Sequence, residues 1–155
     1  MILHNTKFKK YMKKFIILLL LILAMRNSAF SQTFTVVDVF DSVSKIDGFQ
    51  EMEYVEDDMK FPSNIGTPNM IIHGNAEPRE QVLRLLNKLP KGSLVYDSTD
   101  ERGKFDRIFL DKSTCDLLFV HIGLGGNDSV LILFRGGMRK DIDKFLMTIN
   151  SNTVE

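Results

Sequence analysis

The chain has 155 residues, of which 44% are hydrophobic and 26% are charged, with 20 lysine and arginine side chains against 20 aspartate and glutamate side chains. This composition is that of an ordinary globular protein, and it excludes collagen-like, coiled-coil and wholly disordered chains. The formal net charge of zero is a sum over two unlike parts, a basic leader and an acidic remainder.

The first 31 residues have the three parts of a secretory signal peptide. They carry six basic side chains and no acid, and the basic part is followed by the apolar run Phe15 to Met25. A helix of that length rises about 16 Å, well short of the roughly 30 Å hydrocarbon core of a membrane. Ala29 and Ser31 then place small residues at the two positions that a signal peptidase reads. The pattern predicts that this segment is removed by cleavage between Ser31 and Gln32.

Two alternatives for this segment stay open. The apolar run could persist as an uncleaved N-terminal anchor, and the chain could start at Met12, which two lysines follow. Cleavage would leave 20 acids and 14 bases, a net charge of −6, and all of that excess lies before residue 77. No cysteine follows the apolar run, so the acceptor of a bacterial lipoprotein is missing. We expect a periplasmic or extracellular protein that is not a lipoprotein, has no stable membrane span after cleavage and does not bind nucleic acid.

The first half of the mature chain predicts two helices and two short strands. Apolar residues at helical spacing over 36–46, followed by Gly48, indicate an amphipathic helix. Residues 49–55 alternate as a half-exposed strand does, and 57–68 have the composition of a loop. A short strand is predicted at 70–73. A second helix is predicted from Asn75, a good N-cap, to the Lys88–Gly92 stop.

The second half predicts four strands and a final helix. The strands are 94–96, 105–110, 117–124 and 130–134, joined by short Gly- and Asp-containing turns. The last two strands are continuously apolar, which indicates either cover on both faces or cover on one face plus a dimer contact. Apolar residues at helical spacing over 138–149 predict the C-terminal helix.

The predicted order is therefore α-β-β-α-β-β-β-β-α. Hairpin connections of a few residues cannot carry parallel crossovers. We predict an α+β fold, a mostly antiparallel sheet of four to six strands with the helices packed on one face, in a single domain over 32–150. Residues 151–155 would be a tail.

Few residues could carry chemistry, and each has a plain structural explanation. Gly136 and Gly137 precede a helix with Arg139 in its first turn, so they could hold a small anion. A flexible strand-to-helix connection needs the same residues. His73 and His121, the histidines of the mature chain, are weak candidates for a ligand contact, and neither has the companions of a zinc motif.

Two acidic groups and one cysteine complete the candidates. The carboxylates at 51, 53 and 56–58 lack the order of a calcium loop and are more simply a solvated acidic edge. Asp97, Asp100 and Glu101 fit a turn with side-chain hydrogen bonds. Cys115, the single cysteine, fits a buried or half-buried small hydrophobe better than a nucleophile. We expect no metal site, no cofactor and no assigned catalytic residue.

The two ends of the chain share their layout with a known family. Residues 12–14 with the following apolar run, the cleavage before Gln32, the apolar strand 128–134 and the sequence 135–145 carry the likeness. In these parts the chain resembles a family of small, uncharacterised exported proteins of the Bacteroidetes type with a domain of unknown function. The resemblance implies an exported α+β domain in a Gram-negative envelope, and it brings no catalytic residues with it.

Two functional hypotheses follow. The first is a non-enzymatic envelope protein, an accessory domain or one that binds an unknown envelope protein or a small ligand. A homodimer stays open if one face of the apolar strands is uncovered. The alternative is a small envelope hydrolase with a dispersed site, formed by His73 and His121 together with the acids around residue 100.

Overall fold

The structure is a computed structural model that describes Lys14, Ile16 and Ile17 and residues 33–54, 61–73, 79–123 and 129–151. The chain clusters into two compact units, Met1–Gln32 and Thr33–Glu155. In the first unit the three described residues are helical and exposed. Met12, Ser31 and Gln32 lie outside the described residues, as does the predicted tail beyond residue 151.

The second unit contains the predicted order of helices and strands. Its described elements are α1 (Val36–Val43), β1 (Phe49–Met52), a 3₁₀ turn (Ser63–Ile65), β2 (Gly66–His73), α2 (Arg79–Leu86), β3 (Leu94–Thr99), β4 (Phe105–Leu110), β5 (Leu117–Ile122), β6 (Ser129–Gly136) and α3 (Arg139–Ser151). The six strands form one antiparallel sheet in the order β1-β2-β6-β5-β4-β3. The predicted α+β class and the antiparallel sheet are confirmed.

Local signals explain where α1 begins. Thr35 caps the helix, since its hydroxyl oxygen accepts a hydrogen bond from the Asp38 N–H at 3.2 Å. The Asp38 carboxylate in turn accepts from the Thr35 N–H at 2.8 Å. This reciprocal pair satisfies two backbone donors and favours the acid in the first turn.

The second strand is longer than the sequence predicted. β2 begins at Gly66 and pairs with β6 along eight residues, whereas the sequence predicts a loop over 57–68 and a strand that begins at Met70. Gly66 and Pro68 suggested a turn, but long-range pairing with an apolar partner outweighed that local preference. Pro68 lies opposite Phe134 in this ladder.

The central strands are buried on both faces. In β5, Leu118 and Val120 belong to one hydrophobic cluster, and Leu117 and Phe119 belong to another. Successive residues of a strand point to opposite faces, so the two clusters lie on opposite sides of the sheet. This settles the two alternatives left by the continuously apolar runs in favour of cover on both faces.

Helices lie on both sides of the sheet, which corrects the prediction that they pack on one face. α1 and α2 contribute to the first cluster, and we call that side the α1 face. Ile142 of α3 and Ile65 of the 3₁₀ turn belong to the second cluster, on the side that we call the α3 face. The physical reason is that β5 and β6 present apolar side chains in both directions, so one helical layer would leave half of them in water.

The close approach of two backbones fixes how α3 leaves the sheet. A Cβ atom at Gly137 would collide with the carbonyl oxygen of Ile65, so glycine is required there. Gly136 has φ +77°, in the left-handed region. Together the two glycines turn the chain from β6 directly over the 3₁₀ turn.

Among the described residues, no helix has the length and apolar character needed to cross a membrane.

The packing of α3 against the sheet can be tested by shortening one of its buried side chains. Ile142 is fully buried, so Ile142→Ala should lower the free energy of unfolding by about 2–5 kcal/mol, measured by urea denaturation. The matched control Met147→Ala, at a residue of the same helix that is 72% exposed, should change it by less than about 0.5 kcal/mol. Equal effects of the two substitutions would contradict the packing of α3 described here.

Candidate functional site

A cavity of about 300 Å³ opens where three chain segments meet. These are the start of α1, the connection from α2 to β3, and the turn between β4 and β5. We call it the lysine cavity; its lining residues are Thr33, Phe34, Thr35, Val36, Leu89, Pro90, Lys91, Gly92, Ser93, Leu110, Asp111, Lys112 and Ser113.

The cavity has an apolar side and a polar side. Val36 is buried in the cluster of the α1 face, and Phe34 and Leu89 pack against that cluster half-buried. Hydroxyl-bearing and charged residues complete the lining, with Lys91 and Lys112 exposed. A pocket with an apolar wall and a few polar groups is the usual form of a small-molecule site.

Backbone hydrogen bonds hold the α2–β3 connection against the sheet. The Ser93 N–H donates to the Pro90 carbonyl at 3.1 Å, and the Leu110 N–H donates to the Ser93 carbonyl at 2.8 Å. Gly92 lies between Pro90 and Ser93 in the chain and has φ +87°, a conformation that favours glycine. The Lys112 ammonium reaches this connection from the opposite turn, because a Cβ atom added to Gly92 would lie 3.7 Å from the Lys112 Nζ.

Asp111 organises the β4–β5 turn. Its Oδ1 atom accepts hydrogen bonds from the Ser113 N–H at 2.9 Å, the Ser113 hydroxyl at 2.6 Å and the Thr114 N–H at 3.4 Å. The backbone closes the same turn, since the Asp111 N–H donates to the Asp116 carbonyl at 2.9 Å. The turn therefore presents Lys112 and Ser113 to the cavity from a hydrogen-bonded frame.

The same hydrogen bonds set the ionisation of Asp111. Partial burial raises its pKa, but the donors from Ser113 and Thr114 outweigh that effect and hold the pKa below its ordinary value. Asp111 is thus a carboxylate at neutral pH, with one oxygen engaged by its own turn.

The cationic groups at the cavity have no carboxylate partner among the described residues. Among the described residues, ion pairs are formed by Arg107, His121, Arg135 and Arg139. Lys91 and Lys112 take part in none of them. A third ammonium, that of Lys88, lies 5.4 Å from the centre of the Phe34 ring. This part of the surface is therefore locally positive, although residues 32–155 carry a net charge of −6.

A second cavity, of about 430 Å³, lies between α1 and the strands β1, β2 and β6. Asp41, Glu51, Glu53 and Arg135 are among its lining residues. Glu51 and Glu53 belong to the predicted acidic edge, whose other members at 56–58 lie outside the described residues.

In the described part of the chain, no three histidine, cysteine or acidic side chains are placed to hold a metal ion.

His121 is paired with Asp106, an acid that is not among the predicted site residues. Its Nδ1 lies 2.5 Å from the Asp106 Oδ1, and the two residues are direct partners in the β4–β5 register. By the alternation of each strand, both residues lie on the α3 face of the sheet. The His121 side chain is 22% exposed and the Asp106 side chain is 39% exposed. Neither residue lines the two cavities described above. Only the strand register could have revealed this pair.

The other predicted site residues are scattered. His73 lies on β2 opposite Ser129, and β6 separates its strand from that of His121. The Arg139 Nε donates to the Asp143 Oδ1 at 2.9 Å within α3. Gly137, as described, lies against the Ile65 carbonyl. The structure does not bring these candidates together into one site.

The second group of acids is divided between a turn and an ion pair. The Asp100 Oδ1 accepts from the N–H groups of Arg102 and Lys104, each at 2.9 Å, as the sequence predicted for a turn. The Asp97 carboxylate lies 3.1 Å from the Arg107 Nε. Cys115 is half-buried against the cluster of the α3 face, in keeping with its prediction as a small hydrophobe.

Comparison with known proteins adds no relative: no family model, no curated protein and no solved structure matches the chain. The resemblance to exported proteins of the Bacteroidetes type stays a prediction. Function must therefore be argued from the geometry of the chain itself.

The frame of the β4–β5 turn predicts a measurable titration. We expect the Asp111 carboxyl to titrate by NMR with a midpoint below the ordinary value of 3.8. Because folding lowers this pKa, ionised Asp111 stabilises the fold above that value, and the contribution is lost as the pH falls through the folded-state pKa. Ser113→Ala removes the 2.6 Å hydroxyl donor and should raise the midpoint. The control Ser151→Ala, in α3, should leave the midpoint unchanged. If Ser113→Ala also leaves the midpoint unchanged, the hydrogen bonds described here do not set the pKa of Asp111.

Proposed function

We propose that the protein is an exported, non-enzymatic binding domain that takes a small ligand in the lysine cavity. The observation that carries this proposal is the cavity itself, an apolar wall with hydroxyls and ammonium groups arranged around about 300 Å³. That volume is at the lower end of ligand pockets. An envelope protein as an additional partner is compatible with the same role.

The proposal does not need a dimer. The apolar runs of β5 and β6 would call for a second copy only if one face of the sheet were bare. Both faces carry helices, so these strands supply no argument for a homodimer, and the oligomeric state stays a prediction.

Export is the first part of the proposal, and it rests on the leader sequence. When the full chain is expressed in a Gram-negative host, we expect the periplasmic or secreted product to start at Gln32, as measured by intact mass and N-terminal sequencing. Ser31→Phe places a large side chain where the peptidase requires a small one and should leave the precursor uncut. The matched substitution Ser28→Phe should be processed normally. An intact leader on the wild-type product would support the anchor alternative.

Ligand binding is the second part of the proposal. A mixture of neutral, cationic and anionic small organic compounds should shift the amide signals of residues 33–36, 89, 91–93 and 110–113 in the NMR spectrum of the processed protein. The compounds should be recovered chemically unchanged. Shifts that cluster elsewhere, or no shifts at all, would reject the lysine cavity as the functional site.

The hydrolase alternative is favoured by one observation, the His121–Asp106 pair. A carboxylate that orients an imidazole is a common element of general-base catalysis. Ser98 lies opposite Asp106 on the next strand, which puts the acid between the hydroxyl and the imidazole. Two strand spacings separate Ser98 from His121, about 10 Å, so the imidazole cannot take the Ser98 proton directly.

The alternative has a direct test. The rate of p-nitrophenyl acetate hydrolysis by the processed protein is compared with that of free imidazole at equal concentration and with that of His121→Ala. We expect no excess rate. A rate well above that of imidazole that disappears in His121→Ala would establish the hydrolase and remove the non-enzymatic proposal.

A further inference from the structure

We propose that the ligand of the lysine cavity is a small organic anion with an apolar body, and this rests on the binding function proposed above. Its charged group would lie at Lys91 and Lys112, and its apolar body against Phe34 and the neighbouring aliphatic side chains. The inference draws on charge, on shape and on the way the two lysines are held.

The charge of the lining selects for an anion. The lining contains two lysines without a carboxylate partner among the described residues and a single acid, Asp111. One oxygen of that acid already accepts three hydrogen bonds from its own turn. An arriving anion therefore gains two charge-assisted contacts, whereas an arriving cation would meet two like charges.

The two lysines belong to connections that are hydrogen-bonded to each other. Lys91 immediately precedes Gly92, and the Lys112 ammonium lies over Gly92 at the distance given above. Their backbones are tied together through the Ser93 carbonyl and the Leu110 N–H. Both lysines are therefore carried by hydrogen-bonded segments that line the cavity.

The apolar wall selects for a ligand that is more than an inorganic ion. Phe34 and Leu89 are half-buried, and the fully buried Val36 belongs to the same cluster on the α1 face. Burial of ligand carbon on such a wall gains about 25 cal/mol per Å². A cavity of about 300 Å³ has the volume of about ten waters of the liquid, so it suits a ligand of about ten non-hydrogen atoms.

A series with one apolar body and three charges tests the inference. Octanoate, octanamide and octylammonium are titrated, below their aggregation concentrations, into the processed protein and followed by NMR at the cavity amides. We expect octanoate to bind at least about threefold more tightly than octanamide, and octylammonium to bind most weakly. Inorganic phosphate alone should bind more weakly than octanoate, because it gains nothing from the apolar wall.

Variants separate the charge from the shape of the site. Lys91→Gln and Lys112→Gln should each weaken octanoate about two- to fivefold and leave octanamide unchanged. Lys140→Gln, an exposed lysine of α3, is the matched control and should change neither. Raising the salt from about 20 mM to about 300 mM should weaken octanoate only, since screening acts on the charged partner.

The outcomes distinguish this inference from the proposed function. Equal binding of octanoate and octanamide at the cavity, or octanoate binding that both lysine substitutions leave intact, would overturn the anion inference while the binding function stands. Phosphate binding as tight as that of octanoate would overturn the need for an apolar body. No cavity shift with any compound, here or in the broader mixture, would overturn both proposals.

Discussion

The structure depends on the burial of β5 and β6 on both faces. Their side chains are apolar in both directions, so the sheet is stable in water only as the middle of three layers. Leu118 and Leu131 are fully buried on the α1 face, and Leu117 and Ile132 are equally buried on the α3 face. Residues far apart in the chain must therefore meet. Helices that precede the meander cover one face, and the helix that follows it covers the other.

This constraint also explains the strand order. β6 lies between β5, its neighbour in sequence, and β2, which comes from before α2. A meander alone would leave β6 as an apolar edge strand whose unpaired N–H and C=O groups invite aggregation. Pairing with β2 over eight residues closes that edge, and the shorter β1 then forms the boundary of the sheet. Gly66 and Gly137 permit the close backbone contacts near the end of this ladder.

The sequence predicted what periodicity and turn chemistry determine, and it failed where strand register decides. The order of elements, the antiparallel class and the Asp100 turn follow from local patterns. The start of β2 at Gly66 and the placement of α3 on the second face depend on long-range pairing, which no local pattern contains. Asp106 was missed for the same reason, since an acid in a strand becomes a partner of His121 only once β4 and β5 are aligned.

The lysine cavity shows the limit of reasoning from total charge. A net charge of −6 for the predicted mature chain suggests a protein that repels anions, yet its whole excess of acids over bases lies before residue 77. At physiological salt, charges on the surface act over about 8 Å, so a ligand responds to the groups around its own site. At the lysine cavity those groups are ammonium, hydroxyl and a carboxylate held by its own turn. Nothing in the sequence distinguishes Lys91 and Lys112 from other surface lysines. They come to one cavity only because the two connections that carry them fold together. The electrostatic preference of the site is therefore a property of two short connections rather than of the composition.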